Sequence, residues 1–380
     1  MITVGLLDAQ SVHALIFAKQ LRKNGHHVVL FFSTKLSRVF YSRFADKKVI
    51  CPSTQNQTQE FHDFFLDYLD HNSLDVVVPL NDSSAKYLSK FKSELTGKVR
   101  FSIPDYPVFM RGYDKNQFMQ LCEDHGLPHP RTLDLNVLKS DMEIPDFKFP
   151  ALIKPNETSG AQGFKMVNDL NELWANYDSV RKEYGDCHLQ EFIPHQGKQY
   201  KVELLIKDSK IVYSTVIEKI RFFPVTGGSS CYNISIVNEQ LVDICTKALR
   251  HLNWEGFADF DLIEDKRDGV IKFMELNPRT PNCLKASVIS GIDFPNAIVN
   301  LSLNKKLAEY KYIPGKFLRF FAIDLLWLFS SENKWTAFKK WRLQLFSSNH
   351  FLEDGDYRDP LPLFMGLFFG LFKLVKTKKT

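Results

Sequence analysis

Along the first hundred residues, short unbroken apolar runs alternate with stretches whose apolar positions recur every three or four residues. ITVGLLD and HHVVLFF have the first pattern. They bracket a helical stretch from Val12 to Asn24, which Gly25 stops. KVICP and LDVVVPLND follow, then a helical stretch around Ser84–Leu95, then VRFSIP. Short β-branched runs alternating with helices predict an α/β fold with a parallel, doubly wound sheet over residues 1–105. Beyond it, Asp114 is placed to cap a helix running to about Gly126, where Gly126, Pro128 and Pro130 end it. FPALIKP predicts a short buried strand opening into NETSGAQGFK, a flexible loop with Gly160 and Gly163. A helix through Asn171–Tyr184 and the stretch CHLQEFI come next. KVELLIKDSKIVYSTVIEK reads as a hairpin turning at Asp208-Ser209, and RFFPVTGGSS as irregular. A helix over Glu239–Leu252 leads to FADFDLIEDKRDGVIKFMELN, a second hairpin turning at Asp268-Gly269.

Composition narrows the class. At 380 residues the chain has room for two or three domains, and 44% hydrophobic with 24% charged residues is ordinary for a globular protein. The six cysteines form no CxxC pair, which argues against a zinc site or a disulfide framework and fits a reducing cytosol. The start, MITVGLLDAQ, has no basic n-region and Asp8 interrupts its apolar run, so no secretory signal is expected. The first turn, GLLDAQS, lacks GxGxxG, and no GxxxxGK[ST] occurs, which argues against a dinucleotide site and a P-loop. The net charge of +5 is concentrated after residue 330, where nine Lys/Arg face five acids. A basic tail on a near-neutral body counts against nucleic acid as a partner.

Candidate chemistry starts at FMELNPRTPN, residues 273–282. Side chains alternate along a strand, so Glu275 and Asn277 share a face opposite Met274 and Leu276. Pro278 ends the strand, which leaves Arg279 at its tip. Two oxygen donors on one face suit a hard cation such as Mg²⁺, and an adjacent arginine suits phosphate. A solvent-facing strand edge with a turn is the bland alternative. Lys154 stands alone in the apolar run FPALIKP, and a buried lysine needs an anion: a nucleotide phosphate or an internal carboxylate. Asp261 lies seven residues before Asp268 and Glu275 seven after, which places the two roughly opposite each other across the second hairpin. Facing carboxylates repel unless a cation lies between them or one turns to solvent.

The ordered set Lys115, FPALIKP with its glycine loop, QEFI, and Asp261 followed by MELNPR resembles the ATP-grasp superfamily, most closely the branch of carbamoyl-phosphate synthetase large chains and D-aspartate ligases. The resemblance covers about residues 1–310. It implies a Rossmann-like pre-ATP-grasp domain (1–105) and an ATP-grasp domain of two α+β subdomains clamping ATP (106–310); residues 311–380 lie past it and read as a short helical, apolar and basic extension. By resemblance, Lys115 and Lys154 contact ATP phosphates. Gln190, Glu191, Phe192 and Ile193 form the adenine-binding hinge, with Glu191 taking the exocyclic amine. Gln199 stands at the ribose position, where an acid is usual. Asp261, Glu275 and Asn277 hold Mg²⁺, with Mn²⁺ as an alternative, and Arg279 steadies the transferring phosphoryl group. The segment Arg221–Ser230 lies near the reacting carboxylate. The implied activity is ATP-dependent carboxylate–amine ligation through an acyl phosphate. The partners are a small-molecule or glycan-linked carboxylate and an amine, in the cytoplasm or at the inner face of its membrane. An ATP-grasp kinase and a non-catalytic nucleotide-binding module are the rival classes.

The tail holds two apolar runs, residues 317–329 and 361–375, the second followed by KTKKT. Fifteen residues are too few to span a bilayer, which needs about 20. Residues 361–380 are therefore read either as a peripheral membrane contact or as a cover for the protein's own core.

Overall fold

The computed structural model describes all residues except 138–143, 145–146, 159, 161, 226, 346, 354 and 378–380, and only the backbone of 345 and 370–377. The first sheet is parallel, in the order β3-β2-β1-β4. Its elements are β1 (Thr3–Leu7), α1 (Ala14–Lys23), β2 (His27–Phe32), β3 (Lys47–Ile50), α2 (Thr58–His71), β4 (Val76–Pro79), α3 (Asp82–Lys90) and α4 (Lys92–Leu95). β1, β2 and β4 are buried almost throughout, because helices cover both faces, and this is why they read as unbroken apolar runs. Two expectations need correction. The helix around Ser84–Leu95 is two helices broken at Phe91, whose ring stacks on His62 at 4.2 Å. VRFSIP is not a strand; it makes a single bridge from Arg100 to Val76 before Pro104 turns the chain away. The sequence pattern did not single out α2, which has no side-chain cap at Gln57 yet buries Phe61, Phe65 and Tyr68.

α5 (Tyr106–Tyr113) and α6 (Lys115–Asp124) meet at Asp114, whose carboxylate accepts from the Gln117 N–H at 2.9 Å as the N-cap of α6. α5 presses so closely on the core that a Cβ at Gly112 would lie 2.7 Å from the buried Trp254 ring. A four-stranded antiparallel sheet, ordered β5-β8-β6-β7, follows: β5 (Thr132–Asp134), β6 (Ala151–Pro155), β7 (Lys165–Val167), α7 (Leu170–Tyr184) and β8 (Cys187–Glu191).

The largest sheet has seven strands, ordered β13-β12-β9-β10-β11-β14-β15. β9 (Gln199–Lys207) and β10 (Lys210–Phe223) turn at Asp208 and Ser209, both with positive φ, as a two-residue hairpin turn of the mirror-image type requires. β11 (Ser229–Ile236) follows, so the stretch read as irregular is strand at both ends and shortens to a turn between Phe223 and Ser229. α8 (Glu239–Leu252), β12 (Gly256–Asp265), β13 (Val270–Asn277), α9 (Lys285–Ile289) and α10 (Phe294–Ser302) complete the body. The extension comprises β14 (Phe317–Arg319), α11 (Phe321–Ser330), α12 (Lys334–Leu345), β15 (His350–Leu352) and α13 (Leu361–Thr377). It is not purely helical: β14 pairs antiparallel with β11, and β15 parallel with β14. α13 packs over the 3-10 turn Arg38–Tyr41 of the first domain, with Gly366 against the Arg38 guanidinium. Asp359 anchors this return by accepting from Ser42 Oγ and, at 3.1 Å, from Arg43 N.

Candidate functional site

The open end of the β12–β13 hairpin faces β6 across a cleft between the seven-stranded and four-stranded sheets. Asp261 pairs with Glu275 and Asp259 with Asn277. Near the turn the register pairs Asp265 with Val270 and Leu262 with Phe273; continued without a break it would set Asp261 opposite Met274. A bulge between Asp261 and Leu262 shifts the ladder by one residue and returns Glu275 and Asn277 to the face of Asp261 and Asp259.

The facing carboxylates are neutralised by residues that the sequence reading did not select. Lys201, on β9, sets its ammonium 2.6 Å from Asp259 and 2.8 Å from Asp261. Lys219, on β10, pairs with the other oxygen of Asp261. The cationic balance expected of facing carboxylates is present here as side chains, with two ammonium groups on Asp261. Burial alone would raise the Asp261 carboxyl, but Lys201 and Lys219 override it and hold it well below the usual range. Burial would likewise lower the Lys201 ammonium, but Asp259 and Asp261 raise it. Asp259, wholly buried, is pushed up to about 6 by desolvation despite Lys201. Glu203, its neighbour on β9, is pushed up to about 8 by burial and by Asp259, and accepts from Thr215 at 2.9 Å and from Ser287 at 2.5 Å.

Opposite this row stand the two lysines from the other layers. Lys115, the first residue of α6, lies 3.6 Å from Glu275 and donates to the Thr158 carbonyl. Lys154, on β6, is 3% exposed. Its ammonium donates to Gln190 Oε1 at 2.9 Å and lies 4.7 Å from the Phe164 ring centroid. Its closest partner is thus a neutral amide rather than a carboxylate. Burial pulls Lys154 down to about 8, with Glu275 opposing and Lys115 adding to the fall. His188, its cross-strand neighbour, is kept neutral by burial and by both lysines.

Gln190 is fully buried, so its side chain holds Lys154 and, at 3.3 Å, Thr132. Glu191 pairs with Arg267 at 2.9 Å, Phe192 packs edge-on to His195, and Ile193 is buried. Gln199 bonds His195 Nδ1 at 2.8 Å. Arg279 reaches Asn277 Oδ1 at 3.2 Å, and Asp82, the first residue of α3, at 3.1 Å. Asp82 and Arg279 tie the helix after β4 to the end of β13 that lies away from the hairpin turn. Arg221 lies away from this cleft, with its guanidinium on Asp324 of α11 at 3.0 Å.

The structure therefore brings Lys115, Lys154, Asp261, Glu275, Asn277 and Arg279 to one cleft, and sets residues 190–193 and Gln199 along the strand and turn beside it. Among the described residues, no three His, Cys, Asp or Glu side chains form a ready cation cage. The available donors are two carboxylates and one amide oxygen, which is the hard-oxygen chemistry of Mg²⁺ when water and phosphate complete its shell. Glu275 fits that role directly; Asn277 joins it if Arg279 releases its Oδ1, and Asp261 if one lysine releases an oxygen.

A D-aspartate ligase of Enterococcus faecium (strain Aus0004) is 23% identical over 279 residues, 64% of this chain and 63% of the relative. A carbamoyl phosphate synthase large chain of Clostridium perfringens (strain SM101 / Type A) is 21% identical over 319 residues, 81% of this chain but 28% of the relative. The chain thus spans less than two thirds of the length of either. Among solved structures, an L-amino acid ligase from Bacillus licheniformis superposes with a TM-score of 0.63 at 18% identity, covering 80% of this chain and 74% of that one. Biotin carboxylase from Campylobacter jejuni gives 0.67 at 13% identity, covering 82% and 74%. Residues 114–310, which carry every cleft residue above except Asp82, match the model of the carbamoyl-phosphate synthase L chain ATP-binding domain, and the chain belongs to that ATP-grasp family.

Proposed function

We propose that the protein is an ATP-dependent ligase that joins a small-molecule carboxylate to an amine. The observation that carries this reading is the convergence of Lys115 and Lys154, from two different layers, on the hairpin end that presents Glu275, Asn277 and Arg279. Cations arranged on one side of a cleft, and oxygen donors with an arginine on the other, suit a polyphosphate and the charge that moves during its cleavage. In this reading Lys154 and Lys115 hold the phosphates, residues 190–193 the adenine and Gln199 the ribose. Glu275 and Asn277, with Asp261, would hold Mg²⁺, which supplies charge neutralisation at the phosphate oxygens.

The acid's carboxylate oxygen attacks the γ-phosphorus of ATP, the bond to the β-phosphate oxygen breaks, and ADP leaves. The amine nitrogen then adds to the acyl carbon, inorganic phosphate departs, and the amine's proton passes to solvent. Arg279 offsets the charge on the moving phosphoryl group. The name of the D-aspartate ligase relative supports amino acids as the substrate class. The test is ADP release over a matrix of carboxylic acids and amines, with mass spectrometry of the products. An amide with stoichiometric ADP is expected. A phosphorylated product stable to amines would establish a kinase instead, and nucleotide binding without turnover a binding module.

A further inference from the structure

The extension carries apolar side chains on the outside, and its helices are built in a way that a water-facing surface does not explain. α11 (FAIDLLWLFS) has one charged residue, Asp324, and it points inward. Asp324 is fully buried on Arg221, at 3.0 Å, and Arg319, at 3.2 Å, while Phe329 is exposed and Ile323 and Leu326 half-exposed. The buried stripe is Asp324 with Leu328, one turn apart, and the helix carries no other charged residue to face water. α12 (KWTAFKKWRLQL) is fixed by buried Trp341, which packs on Phe321 and lies 4.9 Å from the Arg319 guanidinium. The rest is largely exposed. Trp335, Phe338 and Leu343 stand among Lys334, Lys339, Lys340 and Arg342, with no acid in the helix. Trp335 and Phe338 stack at 6.2 Å, and Lys339 lies over the Trp335 ring at 5.4 Å. In α13, Leu361, Phe364 and Phe368 form an exposed stripe at helical spacing, opposite the face on Arg38–Tyr41. Four more lysines, 373, 376, 378 and 379, follow in the sequence.

We propose that this surface, centred on α12, docks the protein on an anionic lipid surface. Trp and Phe interleaved with Lys and Arg, without acids, is the composition of a helix lying in the headgroup layer, where rings enter the acyl boundary and cations meet phosphates. Charge decides between occupants. A two-fold contact with a second copy would set the four cations of α12 against the same four, which repel. Among the described residues no helix is long and apolar enough to cross a membrane, so the contact is lateral.

The test is sedimentation of the full chain with vesicles of phosphatidylcholine alone and with added phosphatidylserine, at rising salt. Pelleting that requires phosphatidylserine and weakens with salt is expected. Lys339→Gln with Lys340→Gln should weaken binding about 30-fold at low salt. Trp335→Ser with Phe338→Ser, at exposed positions, should also release the protein while its thermal midpoint stays unchanged. Equal pelleting with neutral and anionic vesicles, no pelleting, or a dimer that the aromatic variant dissolves would each overturn the proposal. The readout needs no turnover, so it stands or falls independently of the ligase reading.

Discussion

Replacing Lys201 by methionine keeps most of the side-chain volume and removes the ammonium that joins Asp259 and Asp261. Asp259 is wholly buried and the Asp261 side chain is 16% exposed, so neither carboxylate regains solvent when the cation goes. Asp261 retains Lys219 and the Asn277 amide; Asp259 retains only the Asn277 amide, at 3.2 Å. Breaking a buried pair from one side costs about 3–5 kcal/mol, because it strands the other charge. Asp259 has an escape: it can protonate. Its carboxyl already sits near 6 with Lys201 present, so losing that cation moves it higher. A carboxyl whose folded pKa exceeds its unfolded value of about 3.9 leaves the fold unpenalised below that value, and stability falls as pH rises through the folded pKa. The variant should therefore lose about 3–5 kcal/mol at pH 8 and clearly less at pH 5. Adding Asp259→Asn should restore most of the loss at pH 8. Urea unfolding followed by tryptophan fluorescence at the two pH values measures all three proteins. A variant as stable as the parent at pH 8, or equally destabilised at both pH values, would refute the reasoning.

Four further outcomes test the cleft. Lys154→Met should weaken ATP binding by about 1.5–3 kcal/mol, the worth of one charge-assisted bond, as read by calorimetry. In the parent, Lys154 is charged below about 8, so ATP affinity should fall as pH rises from 7 to 9, and fall less in the methionine variant. Glu275→Gln should abolish ADP release in the presence of Mg²⁺ with an unchanged circular dichroism spectrum; near-normal turnover would remove Glu275 from the metal site. Arg279→Ala should reduce kcat far more than ATP affinity, whereas a raised KM with normal kcat would assign Arg279 to ground-state binding.

Local rules made several features legible from the chain. Asp208-Ser209 between two β-branched runs is a tight turn wherever the strands go, and both residues have the left-handed backbone that the turn demands. Asn238 accepts from the Leu241 N–H, and α8 spans Glu239–Leu252 as its apolar spacing predicts. Glu275 and Asn277 share a face because side chains alternate along a strand, and Pro278 ends β13 for lack of an N–H.

The partners of those residues were decided by tertiary structure. Whether Glu275 faces Asp261 hangs on one bulge, since a one-residue slip would carry its side chain to the other face of the sheet. The alternation FADFD and the spacing in KVELL place Asp259 with Asp261, and Lys201 with Glu203, on common faces, so the signal for a polar row is present. Which rows meet depends on the β9–β12 register, set between strands about sixty residues apart. Asp82 meets Arg279 across 197 residues, through long-range packing that no local pattern encodes. Which face of the tail is covered was likewise open in sequence: α13 packs one face on Arg38–Tyr41 and leaves Leu361, Phe364 and Phe368 outside with the other. Turns, caps and strand faces follow from a few adjacent dihedral angles and are therefore written in adjacent residues. Charge pairing and burial depend on which distant segments pack together, and that is settled by the whole chain's balance of apolar burial against conformational entropy.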